Sequence, residues 1–297
     1  MYRIVRITGL MLFVALLASS LLLAACGGGG GSRIAFISSR DSHYEVYVMN
    51  PDGSGQTKLT DTNQRNATPA WSPDRKQIAF ATGGDGHEDI YVIDASGGTP
   101  TPLTYFMMYS SIVGGNRHPS WSPDGTKIVF ESKLRGPGWQ IYVMDANGTN
   151  KTSLSDNTAS DEVHPDWSPD GKNIVFAVNT PPFDDDNYDI YVMDIESKKR
   201  TRLTDNSATD WYPAWSPDGK SIAFTTNRDN TWQVYVMSAD GENWTRLADS
   251  AEDGPAWSPD GKQIAYEYQS EIYVMNDDGT NQVRITDTTG RNMSPAW

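Results

Sequence analysis

Short apolar segments recur along this chain at nearly even spacing, too brief for helices and flanked by turn-forming residues, so each reads as a β-strand. Ile34–Phe36, Ile78–Phe80 and Lys127-Ile128-Val129-Phe130 are of one kind, with the last alternating in polarity. Ile90–Ile93 and Ile141-Tyr142-Val143-Met144 are of a second kind, apolar on both faces. A strand of that kind must lie between two sheets, because a sheet with one wet face gives it nowhere to bury its second side. Leu103 and Thr104 are taken as a further strand, and each unit opens on Pro-x-Trp followed by Ser-Pro-Asp.

Pro-x-Trp stands at Pro69–Trp71, Pro119–Trp121, Pro165–Trp167, Pro213–Trp215, Pro255–Trp257 and Pro295–Trp297, at intervals of 50, 46, 48, 42 and 40 residues. Periods of this size mark the blades of a toroidal array. The predicted fold is therefore all-β, a six-bladed β-propeller of four-stranded antiparallel blades over residues 33–297. The first unit lacks its Pro-x-Trp and the last Pro-x-Trp has nothing after it. Pro295–Trp297 is thus expected to supply the innermost strand of the blade begun by Ile34, leaving no open seam.

Ser-Pro-Asp-Gly recurs at Ser122–Gly125, Ser168–Gly171, Ser216–Gly219 and Ser258–Gly261, with Arg75 in place of Gly in the first copy. Pro presets the turn, Asp bonds back to the backbone and Gly takes the left-handed position, so these aspartates read as turn residues and not as catalytic ones. A second turn carries Asp52-Gly53, Asn147-Gly148, Asp240-Gly241 and Asp278-Gly279, while Glu196-Ser197 departs from the pattern and predicts a looser turn. Both turns fall on one face. The longer links, with insertions at Tyr105–His118 and Ala177–Asp189, fall on the other, which is expected to be the binding face.

Residues 1–25 carry Arg3, Arg6 and an apolar run, the pattern of an export signal. Leu23-Ala24-Ala25-Cys26 resembles the bacterial lipobox, and Cys26 is the single cysteine, which suits lipidation and leaves no internal disulfide. Residues 26–32 then read as a lipidated Cys and a Gly-rich linker. Net charge is −14, and loss of the leader with Arg3 and Arg6 makes the remainder more acidic still. With no basic stripe, nucleic acid is not expected as a partner; cationic or basic partners are favoured.

Pro-Ala-Trp-Ser-Pro-Asp-Gly-Lys-x-Ile-Ala-Phe, then Ile-Tyr-Val-Met-Asn, Asp-Gly and Leu-Thr, resembles the TolB-type (WD40-like) propeller repeat of bacterial envelope proteins. The resemblance spans residues 33–297, without the N-terminal α/β domain of TolB. It implies an extracytoplasmic protein but not one activity, and propellers related to this family include metal-dependent lyases.

Asn66, Asn116, Glu162, Asp210, Glu252 and Asn292 each precede a repeat Trp by five residues. Placed at the entrance of the innermost strands, they are expected at the channel mouth. Two roles are open there: a ring that binds a cation, basic peptide or polar ligand, or local satisfaction of backbone groups. Tyr105, Phe106, Met107, Met108 and Tyr109 form an apolar insertion that suits either a partner contact or a local cover. His118 and His164 share one repeat position and are weak metal candidates, as are Asp184 and Asp186 in an acidic loop lacking the Gly and distal Glu of a calcium loop. No Gly-x-Ser-x-Gly elbow is present.

The sequence reads as a lipid-anchored extracytoplasmic monomer that binds an envelope protein, peptide or glycan without catalysis. No cofactor is expected beyond a bound cation such as Ca2+. The alternative is a metal-assisted hydrolase or lyase acting on a carbohydrate at the channel mouth.

Overall fold

The computed structural model describes residues 32–84, 87–105, 114–133, 138–155, 160–179, 187–250 and 253–297. Residues 1–25, Cys26, Phe106, Met107, Met108, Tyr109, Asp184, Asp186 and Glu252 lie outside the described residues.

Six four-stranded antiparallel sheets form the described structure. Blade one joins Asn292–Ala296, Ile34–Ser38, Glu45–Met49 and Thr57–Lys58, and blade two Arg65–Trp71, Gln77–Gly83, Asp89–Asp94 and Thr101–Pro102. Blade three joins Asn116–Trp121, Lys127–Ser132, Gln140–Asp145 and Thr152–Ser153, and blade four Asp161–Trp167, Asn173–Asn179, Asp189–Asp194 and Arg200–Arg202. Blade five joins Asp210–Trp215, Ser221–Thr226, Gln233–Ser238 and Thr245–Asp249, and blade six Ala256–Trp257, Gln263–Tyr268, Glu271–Asn276 and Val283–Arg284. The last strand closes the ring as its sequence offset predicts, with Ala296 opposite Ala35 and Asn292 opposite Ser38. Trp297 Nε1 donates to the Ser32 carbonyl at 2.8 Å, joining the two ends of the folded part.

The core lies in the gaps between blades. Ile34, Phe36 and Met49 of blade one pack with Ala265, Ile272 and Val274 of blade six, and Ala79 and Ile90 of blade two pack with Ile128, Phe130 and Met144 of blade three. Burying a side chain of this size stabilises by about 1.5–3 kcal/mol, so every gap contributes and none is spare. Within each blade an aromatic pair faces across strands, as Phe36 with Tyr47 and Phe224 with Tyr235.

Leu103 and Thr104 differ from expectation. The outer strand of blade two ends at Pro102, and Leu103 N and Thr104 N both donate to Ile90 O just beyond it. The reason is a local hydrogen bond: Thr104 Oγ1 accepts from Ile90 N at 2.8 Å and donates to Asp89 at 2.6 Å. Thr60 does the same with Val46 N and Glu45 in blade one, and Thr204 and Thr286 with their counterparts in blades four and six. The blade-four turn is looser, as predicted, since Asp194 N reaches Lys199 O where Asp145 N reaches Thr149 O.

Neighbouring blades meet so closely that some turn glycines have no room for a side chain. Gly53, at φ 82, would place a Cβ against the Ile285 carbonyl of blade six, whereas Gly125, at φ 70, has Pro73 Cδ 3.8 Å away. Gly53→Ala is expected to lower stability by about 2–3 kcal/mol and Gly125→Ala by about 1 kcal/mol, read from denaturant midpoints. Equal losses would show that the blade contact does not constrain Gly53.

Candidate functional site

The inner strand lines the channel and, in five blades, is interrupted by a bulge. Register shifts lie between Ala67 and Ala70, Arg117 and Ser120, Val163 and Asp166, and Trp211 and Ala214. The residue just before the repeat Pro is left-handed in five blades: Thr68 at φ 48, His118 at 50, His164 at 54, Tyr212 at 50 and Ser294 at 50. Non-glycine residues rarely adopt this conformation, and a bulge re-aims the side chain that carries it. The result is five strained positions around the channel, while Gly254 takes the matching place in blade six without a left-handed backbone.

A cavity of about 440 Å³ lies in the channel, lined by Pro-x-Trp segments of all six blades. It extends from the bulge residues to Pro73, Pro217 and Pro259 of the Ser-Pro turns, so it lies toward the tight-turn face. Arg75 stands at that end. It adopts φ 61 where the other turns use Gly, stacks 4.0 Å over Trp71 and donates to the Arg33 carbonyl.

At the bulge end of the cavity, His118, His164 and Tyr212 from three successive blades meet. The imidazoles are 4.4 Å apart, edge to face, and His164 stacks on Tyr212 at 3.8 Å. Glu131 lies against them, fully buried. Its carboxylate accepts from Arg117 Nε and from His164 N at 2.7 Å, and His118 Nδ1 is 3.2 Å from Oε1 without the alignment of a hydrogen bond. Burial works against ionisation of Glu131, but the charges of His118 and Arg117 outweigh it and hold the carboxyl well below the usual range. Burial and the neighbouring His118 push His164 down, keeping its imidazole neutral.

Glu267 occupies the same repeat position as Glu131, three blades away, where the other blades have Ile37, Ala81, Ala177 and Thr225. Here burial and the adjacent Asp253 carboxylate drive the pKa upward despite Arg291 at 3.7 Å. Asp253 is itself held by Ser294, which donates through N at 2.9 Å and Oγ at 3.1 Å. Asp166, where most blades have Ala, is pushed up to about 6 by burial, although it accepts from Ser120 Oγ at 2.8 Å and Trp215 N at 2.9 Å.

The residues expected at the channel mouth do not line this cavity. Asn66, Asn116, Glu162, Asp210 and Asn292 are all buried at the strand entrances, on the opposite side of the bulge from the cavity. Asn66 Nδ2 donates to Tyr44 O, Glu45 and Thr62, and Asn116 Nδ2 to Asp89 at 3.0 Å. Asn292 bonds Glu271 and Arg40, Glu162 pairs with Arg200 at 2.6 Å, and Asp210 pairs with Arg228 at 3.3 Å. They fasten each inner strand to the blade before it or to their own blade. Tyr105 is exposed. Sequence reasoning found His118 and His164 but missed Glu131 and Asp166. The available signal was an acid in a repeat position otherwise held by small or apolar residues.

These features define a closed six-bladed propeller whose bulge ring surrounds a channel cavity. The chain belongs to the TolB beta propeller domain family, whose profile matches residues 28–113 and 163–270. TolB from Acinetobacter baumannii is similar at TM-score 0.76 and 24% identity, over 91% of this chain and 67% of that one. A putative TolB from Agrobacterium tumefaciens gives 0.69 and 25%, over 91% and 94%. An oligogalacturonate lyase in complex with manganese shares the fold at 0.56 and 16%, over 86% and 73%. No curated protein matches the chain.

Two outcomes follow from the charges. Glu162→Gln replaces the buried carboxylate that pairs with Arg200 and accepts from Ser155 Oγ, and a stability loss of about 1–3 kcal/mol is expected in chemical denaturation; a loss under about 0.5 kcal/mol would free Glu162 from a structural role. For Asp166 the folded-state pKa lies above the unfolded one. Its protonated form therefore supports the fold at low pH, and that support is lost as pH rises through about 6. Asp166→Asn can keep both bonds, donating to Ser120 and accepting from Trp215. Its thermal midpoint should exceed that of the wild type by a margin that grows from pH about 4 to about 6 and then levels off, and a pH-independent difference across that range would contradict the assignment.

Proposed function

We propose that this chain is a membrane-tethered, extracytoplasmic binding module that receives a protein or peptide partner at its channel cavity without catalysing a reaction. The observation that carries this reading is the bulge ring, in which five non-glycine residues hold a left-handed backbone around one cavity. Strain of about 1–3 kcal/mol per residue is retained where function needs it. The cavity walls are Pro, Trp and Ala, with polar groups at Thr68, His118, His164, Asp166, Tyr212 and Ser294. A wall of this kind suits an extended segment with apolar and polar side chains in alternation.

The net charge of −14 favours a basic partner and makes association salt-sensitive. Membership of the TolB beta propeller domain family supports a protein partner over a glycan, and an extracytoplasmic setting. The lipobox-like Leu23-Ala24-Ala25-Cys26 supports lipid anchoring through Cys26.

Full-length protein immobilised in detergent should capture a polypeptide from a solubilised native envelope. Thr68→Phe, which fills the cavity, should weaken that capture by at least about tenfold while leaving the thermal midpoint nearly unchanged. Undiminished capture by a folded Thr68→Phe protein would reject the cavity as the contact. Cys26→Ala should move the protein from the membrane fraction to the soluble one.

A further inference from the structure

We propose that His118, His164 and Glu131 form a site for a divalent transition-metal ion of the Zn2+ type at the bulge end of the channel cavity. One ligand atom from each of the three residues lies within 4.8 Å of the others. Two imidazoles and a carboxylate are a donor set that zinc takes, leaving a further coordination position for water or ligand. That position would lie on the cavity side, since His118 and His164 both line the cavity.

Three independent features point to an ion. His164 Nδ1 is buried without a hydrogen-bond partner, and the buried His118 Nδ1 faces Glu131 Oε1 at 3.2 Å without hydrogen-bond alignment. Leaving a buried polar atom such as His164 Nδ1 unpaired costs about 1–3 kcal/mol, and coordination would remove the cost. Second, both imidazoles are carried by left-handed bulge residues, which turn them toward the channel and toward each other. Third, Glu131 is an acid on a strand whose counterparts in four other blades are Ile, Ala, Ala and Thr.

Arg117 does not take the whole carboxylate. Ionised Glu offers about four acceptor positions, and the bonds here are Arg117 to Oε1 and His164 N to Oε2. Arg117 lies 3.9 Å over the Trp139 ring, and Tyr212 stacks on His164, so both neighbours orient the donors as outer partners of metal ligands do.

The test uses the purified full chain, stripped of metal by chelator and titrated near neutral pH with Zn2+ by calorimetry and with Co2+ by visible absorbance. One equivalent of each is expected, with Zn2+ displacing Co2+ and abolishing its bands. His118→Ala and His164→Phe should each weaken Zn2+ affinity by at least about tenfold; the Phe variant keeps the stack on Tyr212, and unchanged thermal midpoints would confirm folding. The proposal is overturned by an absence of saturable binding, or by either variant keeping wild-type affinity. It does not depend on the partner-binding reading, because the readout is metal occupancy alone.

Discussion

No blade of this molecule has a dry face of its own, and that constraint governs the rest. A four-stranded sheet whose second and third strands are apolar on both sides can be buried only between two other sheets, so each blade needs two neighbours. Six blades meet that need only if the circle closes. The strand Asn292–Ala296 closes it by pairing with Ile34–Ser38, and the Ile34–Phe36 and Met49 surface then has Ala265, Ile272 and Val274 to pack against. Polar fasteners reinforce the same gaps. Asn66 reaches back to Glu45, Asn116 to Asp89 and Asn292 to Glu271, each from one blade to the one before it.

Closure brings six equivalent positions around one axis, and chemistry enters by varying them. The residue before each repeat Pro is Thr68, His118, His164, Tyr212, Gly254 or Ser294, and all but Gly254 sit on a left-handed backbone. Blades three, four and five place aromatic or imidazole rings there and blades six, one and two place small residues. One side of the channel is therefore filled by the His118, His164 and Tyr212 cluster. Gly254 belongs to this arrangement, since a Cβ at that position would strike the Tyr212 side chain.

Glu131 and Glu267 show how environment decides the state of one side chain. They hold the same repeat position on opposite sides of the ring, yet one is kept ionised by cationic neighbours and the other is driven toward protonation by burial beside Asp253.

The period of Pro-x-Trp, the two turn types and the offset between first and last units were enough to determine the blade count, the strand order and the closing strand. These are local or arithmetic properties: a turn is written in four residues, and a repeat can be counted. Even the looser turn at Glu196-Ser197 was legible. The site was less so, because which way a polar side chain points on an inner strand depends on the bulge, and a shift of one residue exchanges the channel for the gap between blades. Asn66 and its counterparts went to the gap, while the residues two positions further on reached the cavity. Glu131, distant in sequence from His164, became its neighbour only when blade four was packed against blade three. Such contacts belong to the assembled ring, where burial and neighbouring charge assign each group its partner and its protonation.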